Sequence, residues 1–498
     1  MSTIIEQPQS ESPGLEADMK LNLASETVLA VVEDDEEVEW TETDQNNVDR
    51  AIRKLDFTLV PVFGIIFMMS SLDRSNIGNA KLTSFGTDLG LVGNQYGAAV
   101  SVVYATYVIF EPIFGVLLKI VSPRIMLTGS IICWSAVTIG SSFVKNYHQL
   151  IATRLLLGLF EASISPCIAL YLTMTYKRDE YVRRQTAINC CSAVSGAFGG
   201  LLAYALTNIH TGNMHGWQYM YLVEGLMSAC IIPVAYFLVP NRPSELRFLT
   251  HDESTALLKR QIMNRKYYDD RETFSWFEIR RAFKDWRLYV HAINHFGIDC
   301  TLYSLTTFMP SLCSSLGFAT TVQSQLLTVP VYAIAAIAFV CCGWLSDKWN
   351  LRSPFILQAL GWNLIGYIIL AAAPQPGVRY AGIFISSIGL YVATALNNLW
   401  AADNIAGHYK RAVSCGTIQL TGNISGAIIG FIFTSQSAPR YRKGIYFDIA
   451  ATVMSMCCTI ILLLGTRAKI SKKAKQVAAG APDDNSLGDE NPHYKLFL

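Results

Sequence analysis

The chain has 498 residues, 51% of them hydrophobic and 15% charged, with a formal net charge of +1 and a mean hydropathy of +0.31. A chain this apolar is not a string of soluble domains, and its near-zero charge offers no electrostatic footprint for nucleic acid. Most of the 12 cysteines, such as Cys190, Cys191, Cys341 and Cys342, lie inside apolar stretches. There they read as small packing residues, not as a disulfide framework or a metal site.

Residues 1–55 are polar and acidic, with Glu33, Asp34, Asp35, Glu36, Glu37 and Glu39 in one run. They are expected to form a disordered cytoplasmic N-terminus without a cleavable leader. Twelve stretches of membrane-spanning length follow, near 57–79, 95–119, 124–143, 149–174, 184–208, 217–239, 287–312, 321–345, 353–373, 379–402, 411–434 and 444–466. They fall into an N-terminal bundle of six over 56–240 and a C-terminal bundle of six over 287–466. The loop 241–286 separates the bundles and carries helix-start signatures at Thr250–Glu253 and Ser275–Glu278. Lys and Arg concentrate in loops on the side of the termini (Arg124, Lys177, Arg183, Lys348, Arg352, Lys410), which predicts cytoplasmic termini. In the tail 467–498, Arg467, Lys469, Lys472, Lys473 and Lys475 are expected to touch anionic lipid, with disorder beyond them. The predicted fold class is an all-α polytopic membrane protein with twelve transmembrane helices in two pseudo-symmetric six-helix bundles. The expected setting is a lipid bilayer, as a monomer and without a cofactor.

An internal repeat supports the division. Gly115, Leu117 and Arg124 recur as Gly343, Leu345 and Arg352, and the small-residue ladder Ser192, Gly196, Gly200 recurs as Gly422, Gly426, Gly430 at nearly the same separation. Such ladders let helices approach closely, in static packing or in sliding.

A charge at the bilayer centre costs roughly 2.5–3.5 kcal/mol, so the ionisable residues inside the spans mark a pathway or a partner. Arg74 and Arg154 are the cations at depth, and a guanidinium can hold a carboxylate through two hydrogen bonds. The structural alternative pairs Arg74 with Asp73, or Arg154 with Glu161. Glu161 lies seven residues after Arg154, on the same helix face, where a partly desolvated carboxyl suits a proton carrier. Glu111, before Pro112, is a second candidate carrier, or else it satisfies backbone groups freed by the proline. His291, His295 and Asp299 form a polar stripe on the seventh span. Three positions on one helix do not surround a metal ion, so the stripe is read as a proton relay, a substrate contact, or helix packing. Asn397, Asn398 and Asn423 are uncharged hydrogen-bonders for the same ligand, or packing groups.

The loop Gly343-Trp-Leu-Ser-Asp347-Lys348 ending in Arg352, with its eroded copy after the second span, resembles the major facilitator superfamily. Within it, Leu72-Asp73-Arg74-Ser75-Asn76-Ile77-Gly78-Asn79-Ala80-Lys81, Glu111-Pro112, Arg154 with Glu161, Phe198 to Tyr204, Glu224-Gly225 and Ala438-Pro439-Arg440-Tyr441 resemble the fungal allantoate permease group of anion:cation symporters. The resemblance implies a proton-coupled carrier for a small organic anion. Nicotinate is the first expectation; pantothenate, biotin and allantoate are others. It implies substrate contacts at Arg74 and Arg154 and proton coupling at the helix-four carboxylate Glu161; the residues' own chemistry adds Asn76, Asn397, Asn398, Asn423 and His295 as candidate substrate contacts, and Glu111, Asp299 and Asp73 as candidate proton-coupling groups. Gating falls to Gly343, Asp347, Lys348, Arg352, Gly115 and Arg124, although Lys119 stands where the first copy needs an acid. The plasma membrane is the expected location, with an endomembrane as the alternative. On this reading Arg154→Ala would lose transport yet fold. A rival is a non-transporting sensor of the same fold. No nucleophile–base pair or phosphate-binding loop suggests an enzyme.

Overall fold

In the computed structural model, residues 40–498 are described apart from 119, 208, 210–213, 242–245, 247, 268–275, 318–319, 435–436, 439 and 484. Each of the twelve apolar stretches is helical. These helices are α1 (Glu42–Ala80), α2 (Gln95–Leu117), α3 (Pro123–Ser141), α4 in two pieces (Tyr147–Glu161 and Ile164–Thr175), α5 (Arg178–Thr207) and α6 (Gly216–Leu238). The second set is α7 (Trp286–Ser314), α8 (Thr328–Trp349, preceded by a turn of helix at Thr321–Leu326), α9 (Ser353–Ala372), α10 (Pro376–Asp403), α11 (His408–Ile432) and α12 (Arg442–Ala478). Eleven of the spans are long and apolar enough to cross a membrane. The remaining one, α7, has 29 residues, but Arg287, His291, His295 and Asp299 dilute its apolar character.

Local chemistry sets the ends. The Thr41 hydroxyl accepts from the Asp44 amide at 3.2 Å and the Asp44 carboxylate accepts from the Thr41 amide at 3.2 Å, a reciprocal cap for α1. Asn146 caps α4 through the Gln149 amide at 3.0 Å. The Thr250–Glu253 signature starts a helix at His251–Tyr267 as expected, with the Thr250 amide donating to Glu253 at 2.9 Å. Ser275 lies outside the described residues. Lys54 and Arg260 then tie this connecting segment to the first bundle, through Glu253 at 2.7 Å and Glu180 at 2.6 Å.

The two glycine ladders meet partners in the opposite bundle. Gly196 and Gly200 of α5 face Tyr332, Thr328 and Gln325 of the eighth span. Gly426 and Gly430 of α11 face Tyr104 and Gly97 of α2. A side chain at Gly430 would strike the Gly97 carbonyl oxygen, and one at Gly78 of α1 would strike the Thr307 carbonyl oxygen of α7. These backbone-to-backbone contacts seal the bundles together at the face away from the termini, here the far face.

Both ends of the chain depart from expectation. Helix α1 begins at Glu42, so residues 42–55 are helical, while the acidic run at 33–39 lies outside the described residues. The tail is folded, not disordered. Residues Asn485–Glu490 form a 3-10 turn that buries Asp489 fully, where it meets Lys410 at 2.7 Å, Lys469 at 3.2 Å and Arg287. Lys473 donates to the carbonyls of Asn491 and Tyr494 at 2.8 and 3.1 Å. Lys469 and Lys473 therefore serve the tail, not lipid. The end of the chain caps α10, since the Phe497 carbonyl accepts from Trp400 Nε1 and Asn404 Nδ2, both at 3.0 Å.

Burial alone would raise the Asp489 pKa, but hydrogen bonding and charge from Lys410, with the charges of Arg287 and Lys469, hold it below the usual carboxylate value. The pair's stabilisation is therefore complete above the ordinary carboxylate pKa and is lost as pH falls through the lower folded value. Asp489→Ala removes an acid shared by three cations, of which Arg287 and Lys410 keep Asp285 and Lys469 keeps Glu490. It is expected to cost about 1–3 kcal/mol and to release the tail to protease, read by limited proteolysis. A tail as resistant as in the wild type would contradict the clamp.

Candidate functional site

Between the bundles lies a cavity of about 2490 Å³, bounded at mid-molecule by Arg74, Glu111, Asp299 and Tyr303 and reaching the terminal face at Lys177, Arg411 and Tyr494. The far-face seams shut its other end.

Arg74 enters the cavity and Asp73 does not, because successive residues on a helix point about 100° apart. The Arg74 guanidinium forms its one ion pair among the described residues with Glu161, Nε to Oε2 at 3.5 Å, and lies 5.3 Å from the ring centre of Tyr107. Tyr104 and Tyr303, from opposite bundles, face each other beside it with ring centres 4.6 Å apart. Glu161 is fully buried, and neither of its oxygens accepts a hydrogen bond among the described residues. It ends the first piece of α4, where the helix breaks at Ala162 and Ser163.

Arg154 is placed elsewhere. Its Nη2 donates to the Tyr221 hydroxyl and its Nη1 to the Asp73 carbonyl oxygen at 3.4 Å. Around it Trp134 Nε1 donates to the Asp73 carboxylate and Asn76 Nδ2 to Glu224. Thr138 donates to Asp73 at 3.3 Å. All of these side chains are buried, and none lines the cavity. The expectation that Arg154 and Asn76 reach a ligand directly is therefore corrected for this conformation, because both are consumed in a polar core among α1, α3, α4 and α6. Neither structural alternative holds either. Arg74 pairs with Glu161, and Arg154 with the backbone of Asp73, the reverse of the local pairings.

The second bundle supplies the opposite wall. Glu111 accepts from Asn423 Nδ2 at 3.0 Å, and Asn423 Oδ1 accepts from the Tyr303 hydroxyl at 2.7 Å, a chain that crosses between bundles. Asp299 lines the cavity, accepts from Thr394 at 3.1 Å and lies 3.5 Å from His295 Nε2. Asn398 also lines it and donates to Gln419 at 2.7 Å. His291, His295 and Asn397 sit behind, with His291 Nδ1 2.9 Å from Asn397 Oδ1 and Asn397 Nδ2 3.3 Å from His295 Nδ1. The seventh-span stripe is thus packing at its histidines and cavity wall at Asp299. His295 and Asn397 do not line the cavity.

In the loop motif, Arg352 reaches Asp347, Ser346 at 3.0 Å and Asp403 at 3.3 Å, all within the second bundle. Asn350 closes α8 in a left-handed conformation with φ of 52°, the C-terminal cap that asparagine tolerates. Lys348 lies over Trp344 at 5.0 Å, while a side chain at Gly343 would meet open space. In the first-half copy Arg124 stacks on Tyr236 at 4.0 Å and makes no ion pair among the described residues. Gly115 lines the cavity, and Lys119 lies outside the described residues.

Reading the sequence for site residues missed Glu224, Asp448 and the cavity tyrosines. The first two carried a signal, each being a carboxylate inside an apolar span; Asp448, fully buried, accepts from Ser304 at 2.5 Å. Tyr104, Tyr303, Tyr332 and Tyr391 carried none, since tyrosines recur through most spans.

Residues 63–431 match the family described as Major Facilitator Superfamily. A protein named "High-affinity nicotinic acid transporter" from Saccharomyces cerevisiae is 38% identical over 488 residues, covering 96% of this chain and 90% of that protein. An uncharacterized transporter of Schizosaccharomyces pombe is 40% identical over 407 residues, covering 81% of this chain and 83% of that one. Among solved structures, a D-xylose-proton symporter superposes with a TM-score of 0.63 at 13% identity, over 82% of this chain and 97% of that chain. A bacterial homolog of the human lysosomal transporter Spinster, inward-facing and unoccupied, also gives 0.63 at 13%, over 86% and 98%. These structures share the fold.

Removing Arg154 takes the buried donor from the Tyr221 hydroxyl and the Asp73 carbonyl oxygen, and a cation from a core that holds the Asp73 and Glu224 carboxyls. Arg154→Met is therefore expected to lose about 1–3 kcal/mol of stability, contrary to the expectation that an Arg154 variant folds normally. Asp73→Asn in the same chain should restore part of the loss. Thermal unfolding in detergent is the measurement; an Arg154→Met protein as stable as the wild type would remove the cluster from the core.

Proposed function

This chain belongs to the major facilitator superfamily, and from that premise we propose that it takes up a small organic anion together with a proton by alternating access. Within the superfamily it falls in the allantoate permease group, and nicotinate is the anion we assign. The observation that carries the reading is Arg74, a guanidinium inside a tyrosine-lined cavity whose one anionic partner among the described residues is a buried carboxylate. The relative named for nicotinic acid, alike over nearly the whole chain, supports the choice of substrate.

The chemistry follows from that pair. A carboxylate arriving at Arg74 replaces Glu161 as its partner. An anionic Glu161 left alone in its buried position costs several kcal/mol, and a proton taken up there removes the cost. Anion and proton therefore load together and leave together, one for one at this ion pair. Tyr104 and Tyr303 offer ring faces and hydroxyls at which a flat aromatic acid can stack and bond. Asp299 and Glu111 add two further carboxyl groups to the cavity wall, held by Thr394 and Asn423. With the termini in the cytoplasm, the cavity opens inward, and the far face is extracellular. A plasma-membrane location fits uptake.

The test is uptake of labelled nicotinate, pantothenate, biotin and allantoate in cells lacking their own permeases for these acids, at acidic and at neutral external pH. Nicotinate accumulation should rise at acidic pH and collapse with a protonophore. Glu161→Gln should keep exchange of labelled for unlabelled substrate but lose pH-driven accumulation. Uptake indifferent to pH would refute proton coupling, and no uptake of nicotinate would refute the substrate.

A further inference from the structure

At the far end of α1, Lys81 carries an ammonium without a hydrogen-bond acceptor among the described residues. Its Nζ is buried and donates to nothing among the described residues. Three rings surround it instead, with centres at 4.4 Å for Tyr96, 5.3 Å for Phe308 and 5.5 Å for Tyr441. Tyr96 belongs to α2, in the same bundle as Lys81. Phe308 comes from α7 and Tyr441 from the start of α12, both in the other bundle.

The cage is braced. Tyr96 and Phe308 meet edge to face at 6.2 Å, and Phe308 stacks on Phe433 at 4.9 Å. The Tyr96 hydroxyl donates to the Ile77 carbonyl at 3.2 Å. Tyr441 is held with φ of 45°, a left-handed conformation that is costly for a residue with a side chain, and there its ring covers the lysine. The cage stands beside the Gly97–Gly430 and Gly78–Thr307 contacts that shut the far face.

An ammonium taken out of water with no anion beside it loses hydration that ring faces only partly replace. Separating the bundles at the far face carries Phe308 and Tyr441 away, leaves Tyr96 behind and returns water to Nζ. The charge therefore favours the open gate, while the rings limit its cost when the gate is closed.

We propose that Lys81 is the cation of the outer gate, caged and unpaired while the far face is shut, then hydrated and offered to an arriving carboxylate before it reaches Arg74 when that face opens. The capture step rests on the anion-carrier reading; the gate bias does not.

Two readouts separate them. In the purified full chain in lipid nanodiscs without substrate, deuterium exchange of the amides at 96–101 and 428–433 follows the seam. Lys81→Met keeps the stem and drops the charge, and it should slow that exchange about tenfold, the factor that corresponds to about 1.4 kcal/mol. Lys81→Arg should exchange like the wild type, and Tyr441→Ala, which keeps the charge and removes a ring, should exchange faster. In uptake assays Lys81→Met should raise the KM for nicotinate by more than the roughly tenfold that the gate bias alone supplies, and Lys81→Arg should leave it near the wild-type value. Unchanged or faster exchange in Lys81→Met overturns the gate, and slowed exchange with a KM raised by no more than the exchange is slowed overturns capture. If the wild type does not carry nicotinate, the substrate reading fails, while the exchange experiment still decides the gate.

Discussion

The ion pair between Arg74 and Glu161, 3.5 Å apart, ties the first helix to the fourth and decides what the cavity can hold. Glu161 is sealed from water, whereas Arg74 keeps one side toward the cavity. The guanidinium can therefore change partners while the carboxylate cannot move into solvent. In the proposed carrier this asymmetry is the coupling device: a carboxylate ligand can take the cation only when a proton takes the acid. The neighbouring polar core of Arg154, Asp73, Asn76 and Glu224 has no such freedom. It fixes the rotation of α1 so that Arg74 faces inward, which makes it a support for the site and not part of its surface.

Around that centre the bundles touch through small residues. Glycine ladders on α5 and α11 occupy equivalent places in the repeat, and each meets the other bundle, at the eighth span and at α2 respectively. Contacts this close leave no space for intermediate positions, so the seams are either engaged or parted, the bistable behaviour that alternating access needs. The far face is closed by backbone seams and an aromatic cage. The terminal face is held differently, by charge. Arg352, Asp347 and Asp403 link the ends of α8, α9 and α10, and the chain's own tail adds Asp489 against Arg287, Lys410 and Lys469. The first bundle has no matching acid beside Arg124 among the described residues; its charged bracing at this face runs instead from Arg184 to Asp56, Arg260 to Glu180 and Lys54 to Glu253.

The helices were legible because a membrane span needs a continuous apolar run, and the pseudo-repeat was legible because close helix approach restricts the residue to glycine or serine. Relative depth could be read only within one helix, as in the two turns that separate Arg154 from Glu161 on α4. Rotation could not. Whether Arg154 or Arg74 faces the cavity turns on which neighbours, Tyr221 or Tyr107, stand across from each, and those neighbours lie dozens of residues away. The folded tail was illegible for a similar reason. Its polar composition resembles a disordered segment, and its order comes from three cations brought together from α7, α11 and α12. Lys81 was visible as the end of the run from Leu72, but nothing local revealed that rings from two bundles close over it.

A structure of the purified protein with nicotinate bound tests the centre most directly. The expected result places the nicotinate carboxylate within hydrogen-bonding distance of Arg74, the ring between Tyr104 and Tyr303, and Glu161 no longer paired with the guanidinium. A nicotinate bound only near the cavity mouth, around Lys177 and Arg411, with the Arg74–Glu161 pair intact, would contradict it.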